Sequence, residues 1–177
     1  MNKIYAVVGM CGSGKSEVVK YFVSNGYQRV YFGDVVLSEL EKNSLEINEK
    51  NEKYMREKLR ADFGMAVMAL KSLDKIRHLY SLGNVVIESL YSWEEFKTIK
   101  EEFGDVFKLI AVYTTKKLRY QRLANRPFRP LNEFEALSRD YAEIENLNKG
   151  GPIAFADYTV INDGTLQELF DKLSLLL

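Results

Sequence analysis

Gly9-Met10-Cys11-Gly12-Ser13-Gly14-Lys15-Ser16 constrains this chain more than any other stretch. It fits G-x-x-x-x-G-K-[ST], a loop in which glycines let the backbone close around a polyphosphate with no Cβ in the way. The apolar run Ile4 to Val8 precedes it and reads as a buried parallel strand. Val18, Val19, Phe22 and Val23 follow at helical spacing, and Gly26 stands where such a helix would end. Strand, glycine loop and helix in this order are the context that the motif requires. A chance glycine loop before a helix is the bland alternative, and it does not account for both flanks.

The residue types suit the chemistry. Amides of Gly9, Cys11, Gly12, Ser13 and Gly14 would point inward at a concentrated anion, with the positive end of the helix dipole behind them. Lys15 would reach the β- and γ-phosphates, and the Ser16 hydroxyl would sit on Mg2+. Cys11 occupies a free position of the motif and reads as an incidental thiol, not a nucleophile.

Further short apolar runs read as strands at Gln28–Phe32, Asn84–Ile87, Val106–Tyr113 and Tyr158–Ile161. Helical patterns separate them. Asp34 can cap one helix, and residues 41–53 are polar enough to be lightly packed. A long apolar periodicity from Leu59 to Tyr80 follows, with Gly64 as a kink or break. Capping boxes stand at Ser92/Glu95, Asn132/Glu135 and Thr165/Glu168. Leu137, Tyr141, Ile144 and Leu147 mark the apolar face of the second of these helices, which Gly150-Gly151-Pro152 should end. The implied fold is α/β: a three-layer α/β/α P-loop NTPase fold around a five-stranded parallel sheet.

Ligands bind such sheets at the carboxyl ends of the strands, where Gly9, Asp34, Glu88 and Thr114 should gather. Asp34 could orient Mg2+, take a proton from an attacking hydroxyl, bind an acceptor, or simply cap its helix. Glu88 is either a metal-holding acid or an exposed charge at a strand end. Arg119, Arg122, Arg126 and Arg129 cluster around a proline-bounded loop, and arginine recognises phosphate bidentately. For Arg119 a solvated helix face is an equal account. Arg56 and Arg60 share a helix face; Arg60 could hold an acceptor phosphate, while Arg56 suits a surface ion pair. Arg139 offers another phosphate contact, with an Asp140 surface pair as the alternative.

Lys plus Arg equals Asp plus Glu at 25 each, which argues against wholesale electrostatic binding to nucleic acid or an anionic membrane. One cysteine and one histidine argue against a disulfide framework or a structural zinc site. With no secretory signal and no run of 18 apolar residues, a cytoplasmic monomer or homodimer is the expectation.

The ordered set of motifs resembles the P-loop nucleoside and nucleotide kinases, above all the adenylate-kinase-related and dephospho-CoA-kinase-like proteins. The carrying segments are the phosphate loop, Phe32-Gly33-Asp34-Val35-Val36, Lys58-Leu59-Arg60 with Gly64, Val85 to Glu88, Arg119 to Arg129, and Ala156 to Thr165. The resemblance implies a core of residues 1–33, 83–121 and 136–177, an acceptor-binding helical region of 34–82 and a small lid of 122–135. It implies ATP and Mg2+, with Asn162, Gly164 and Thr165 bordering the base, Asp34 facing the acceptor and Arg60 its phosphate. Lys15, Arg122, Arg126 and Arg129 would stabilise the transferring group, and Ser16 with Glu88 the metal. The acceptor would be a nucleotide-like small molecule, of the dephospho-CoA or nucleoside monophosphate type.

Two positions depart from that pattern. Related proteins often carry Asp-Gly-x-Arg after the third strand, where this chain reads Glu88-Ser89-Leu90-Tyr91. Related lids carry acids after their arginines, where this one reads Phe128-Arg129-Pro130-Leu131-Asn132. Both leave room for a second class of function, an ATP-binding regulatory or interaction module with little transfer.

Overall fold

The computed structural model describes residues 2–177. Its five strands are β1 (Ile4–Val8), β2 (Gln28–Tyr31), β3 (Val85–Glu88), β4 (Phe107–Tyr113) and β5 (Tyr158–Ile161). They form one sheet in the order β2-β3-β1-β4-β5, and every pairing is parallel. The helices are α1 (Lys15–Ser24), α2 (Gly33–Lys42), α3 (Glu49–Phe63), α4 (Val67–Leu82), α5 (Trp93–Phe103), α6 (Lys116–Asn125), α7 (Glu133–Glu145), α8 (Gly150–Ala154) and α9 (Leu166–Ser174).

Strand alternation makes the three layers. Ile4, Ala6, Val8, Ile87 and Leu109 point to one core, beneath α2 to α5. Tyr5, Val7, Val86, Ile110 and Val112 point to the other, where Val18, Val19 and Phe22 of α1 and Leu169 and Leu173 of α9 cover them. From the end of β1 the chain turns towards β2, and from β3 it crosses to β4 on the other side. That reversal opens a crevice at the carboxyl edge, and the phosphate loop sits in it.

All three capping boxes form. The periodicity from Leu59 to Tyr80 is two helices, because Gly64 takes φ +84° and closes α3. Residues 41–53 are more ordered than their polarity implies. The Asn48 side chain accepts from the Asn51 amide to start α3, and Leu45 packs on the core. Asp34 does not cap α2, which begins at Gly33; it lies in the first turn, where the helix dipole favours an acid.

The largest difference is α7. Tyr141 and Ile144, expected to face inward, are 56% and 51% exposed, while Ala136, Asp140 and Glu143 are buried. The helix ends at Glu145, and residues 150–154 form a separate turn of helix with Pro152 in it. Proline is tolerated there because first-turn amides lack intrahelical partners anyway.

Glu95 shows what the fold tolerates to make one cap. Its Oε2 accepts from the Tyr91 amide at 2.6 Å and the Ser92 amide at 3.0 Å, while its buried Oε1 has no protein partner. Burial pushes its pKa up to about 7, against the pull of those amides and of Arg60. A carboxyl whose folded pKa lies above its unfolded value weakens the fold as pH rises through that interval. The Glu95→Gln variant keeps a cap acceptor without the charge. Urea unfolding at pH 8 and pH 5 is expected to shift the stability difference by about 1–3 kcal/mol towards wild type at the lower pH; an unchanged difference would show that the carboxyl does not titrate there.

Candidate active site

The loop is built as a cradle. Gly9, Gly12 and Gly14 take φ of +144°, +81° and +97°. A Cβ on Gly9 would come within 2.5 Å of the Val112 carbonyl oxygen, and one on Gly14 within 2.2 Å of Asn162 Nδ2. No L side chain fits either position. The Ser13 amide donates to the Met10 carbonyl at 3.2 Å. Among the described residues, the amides of Gly12, Gly14, Lys15 and Ser16 have no backbone acceptor outside α1, and α1 has no side-chain cap. Amides grouped at a helix start in this way suit an oxyanion. The Ser13 hydroxyl is buried beneath them without a partner, and Ser16 is exposed at the loop's edge.

Three contacts hold the cradle from behind. Asn162, at the end of β5, donates from Nδ2 to the Ser13 carbonyl at 2.8 Å. The Thr114 hydroxyl lies 3.0 Å from the same carbonyl oxygen and 3.0 Å from that of Asn162, so it can donate to either. Arg119 of α6 is buried; it donates to the Cys11 carbonyl at 3.0 Å and forms a bidentate pair with Asp140 of α7 at 2.8 and 2.7 Å. Arg119 therefore braces the loop and is not a solvated helix face. Asp140 partners Arg119, not Arg139.

A cleft of about 1100 Å³ adjoins the loop, between α2–α3 on one side and the residue 126–147 segment on the other. Arg56, Arg60, Arg126, Arg129 and Arg139 line it together with Glu49, Glu52, Glu57, Glu135 and Glu143, and with Tyr31, Tyr91 and Met68. Among the described residues Arg60 has its buried Nε unpartnered, whereas Arg56 pairs with Glu52 and Glu49 at 3.4 and 3.6 Å. Arg122 lies beside the loop, 3.3 Å from the Thr114 hydroxyl. Arg126 donates to the Arg129 carbonyl, and Arg129, at φ +52°, pairs with Glu49 of α3. The segment around Arg129 thus rests on α3.

Two expected acids are engaged elsewhere. Asp34 lines a neighbouring depression and pairs with Lys75 at 2.8 Å. Glu88 is held by Arg29 Nε and Nη2, both at 2.5 Å. Thr165 uses its hydroxyl to cap α9, and a Cβ on Gly164 would meet the Glu168 carboxylate at 1.7 Å. Ser89 takes φ +69°, a strained backbone on the cleft wall.

Sequence reasoning missed Glu143 and Lys149. The Glu143 carboxylate accepts from the Cys11 amide at 3.0 Å, from Lys149 Nζ at 2.8 Å and from Arg139 Nε at 3.3 Å. A buried charged pair leaves no mark in hydrophobic spacing. The inward placement of acids on an otherwise amphipathic α7 is visible only in three dimensions.

A family model described as an AAA domain, AAA_18, matches residues 6–145. The chain belongs to this family. Its relatives carry the name UPF0200 protein. The one from Thermococcus onnurineus is 34% identical over 96% of this chain and 97% of its own, and that from Sulfurisphaera tokodaii is 33% identical over 96% and 93%. Solved structures of similar fold include TT1252 from Thermus thermophilus, with TM-score 0.69, 18% identity and coverage of 99% of this chain and 96% of that one. Dephospho-CoA kinase from Campylobacter jejuni follows at TM-score 0.58, 16% identity and 99% and 95% coverage. Shikimate kinase from Bacteroides thetaiotaomicron matches at TM-score 0.62, 13% identity and 98% and 97% coverage. The AAA_18 chain thus has the P-loop kinase fold that its sequence resembles.

Lys15 sets a pH dependence. Its Nζ donates to the Met10 carbonyl at 2.9 Å. Desolvation, with the Lys149 charge nearby, pushes its pKa down to about 7. Only the ammonium form attracts phosphate. Nucleotide affinity, measured by calorimetry, is therefore expected to fall as pH rises above 7, by at most about tenfold per unit. The Lys15→Met variant should bind weakly at every pH; a wild-type affinity flat from pH 6 to 9 would contradict this.

Proposed function

We propose that the protein is an ATP-dependent phosphotransferase that moves the γ-phosphoryl group to a nucleotide-like small-molecule acceptor. The observation that carries this is the juxtaposition of a glycine-built loop bearing free amides with a cleft lined by five arginines. In this reading residues 34–82 form the acceptor side, residues 122–135 the lid and the remainder the core.

The residues fit a polyphosphate with Mg2+. The loop amides and Lys15 hold the phosphates, and the backbone of Asn162, Gly164 and Thr165 borders the base. Ser16 would hold Mg2+, with Glu88 turning from Arg29 to support it. When bound, the metal would supply charge neutralisation for the phosphates. Arg122, Arg126 and Arg129 place positive charge on the equatorial oxygens as the acceptor oxygen bonds to phosphorus and the bond to the leaving diphosphate breaks. Arg60 binds an acceptor phosphate. Asp34, next to Gly33 of the cleft wall, orients the acceptor hydroxyl and takes its proton once released from Lys75. Tyr91, where an arginine is usual, favours a hydroxyl acceptor such as dephospho-CoA over a nucleoside monophosphate.

The engagement of Glu88 with Arg29 and of Asp34 with Lys75 favours a second reading, a nucleotide-responsive module with negligible transfer. One assay separates the two. Purified protein with Mg2+ and ATP is offered AMP, CMP, UMP, GMP, deoxynucleotides and dephospho-CoA, and ADP is followed. ADP formation that depends on one acceptor and disappears in Lys15→Ala is the expected result. Arg126→Ala should lower kcat by about 10²-fold or more with little change in ATP affinity. ATP binding without acceptor-dependent ADP would favour the regulatory reading.

A further inference from the structure

Around Glu143 the charges do not balance. Arg139 Nε and Lys149 Nζ both pair with this one carboxylate, at 3.3 and 2.8 Å, and Lys15 Nζ stands nearby on the Met10 carbonyl. Arg119 does not join the excess, because Asp140 neutralises it at 2.7 Å. With Glu143 in place the Lys149 side chain is 1% exposed, and its Nζ lies 4.5 Å from the centre of the Tyr91 ring. A buried ammonium against a neutral aromatic face, sharing with Arg139 the one carboxylate it meets among the described residues, calls for more negative charge.

The carboxylate also has the bonds of a phosphate. It accepts from a phosphate-loop amide, an ammonium and a guanidinium, at 3.0, 2.8 and 3.3 Å. Those are the donors that oxyanion sites use. The Cys11 amide belongs to the loop, and Lys15 stands beside the cluster. Whatever anion meets these donors is continuous with one held by the loop.

We propose that Lys149, Arg139 and the Cys11 amide form a phosphate subsite contiguous with the phosphate loop, and that the Glu143 carboxylate yields it to the terminal phosphoryl group of a bound nucleoside triphosphate. This rests on the reading that the loop holds a polyphosphate, but not on phosphoryl transfer. It makes Lys149 a ligand-binding residue and Glu143 a competitor of the third phosphate. A diphosphate satisfies the loop and leaves Glu143 in place.

Calorimetry with the β,γ-imido analogue of ATP and with ADP tests this. Glu143→Gln should tighten the triphosphate analogue about tenfold or more and ADP less than about threefold. Arg139 is half exposed and its loss should not disturb folding; Arg139→Gln should weaken the analogue about tenfold and spare ADP. Because Glu143→Gln strands Lys149, the double variant Glu143→Gln/Lys149→Met removes both charges. It should bind ADP as wild type does and lack the gain for the analogue. In wild-type protein the Cys11 amide resonance should move with the analogue beyond its movement with ADP. An unchanged ratio of triphosphate to diphosphate affinity in Glu143→Gln and Arg139→Gln, or a Cys11 amide that responds equally to both nucleotides, overturns the subsite. Absence of acceptor-dependent turnover would overturn the phosphotransferase reading and leave these affinities as they are.

Discussion

The buried pair of Arg119 and Asp140 is the interaction on which the site's shape depends. It joins α6 to α7 and, through the Cys11 carbonyl, joins both to the phosphate loop. Removing one member would leave a buried charge unpaired, a cost of about 3–5 kcal/mol. The pair therefore fixes where α7 lies, and α7 carries Arg139 and Glu143 to the loop. The Asn162 and Thr114 contacts brace the loop's other side from β5 and β4. Loop glycines permit the curve, but these side chains select it.

Much of this was legible in the sequence. The phosphate loop carries its chemistry in local spacing, and five apolar runs bounded by turn residues have few other readings than a parallel sheet. Capping boxes were equally legible, because a cap is an interaction across three residues. Asp34 and Glu88 were placed correctly at strand ends, but not the direction of their side chains. Their partners, Lys75 and Arg29, come from segments 41 and 59 residues away.

The reading of α7 failed for a physical reason. Apolar spacing identifies the inward face only when the helix packs on an apolar surface. Here it packs on Arg119, Lys149 and the loop backbone, so acids turn inward and Tyr141 and Ile144 turn out. Polar helix faces hidden against a charged site follow the site's demand for counter-ions. The same demand makes Glu143 and Lys149 invisible to any pattern of hydrophobicity.

The way the segment around Arg129 rests on α3 has a consequence for its mobility. Arg129 and Glu49 hold it there through an ion pair whose side chains are 45% and 52% exposed. Such a pair is worth about 1 kcal/mol or less, comparable to thermal energy. The contact is thus easily broken, and it alone does not fix where residues 126–129 lie relative to α3. Anything that holds this segment more firmly must come from contacts other than that pair.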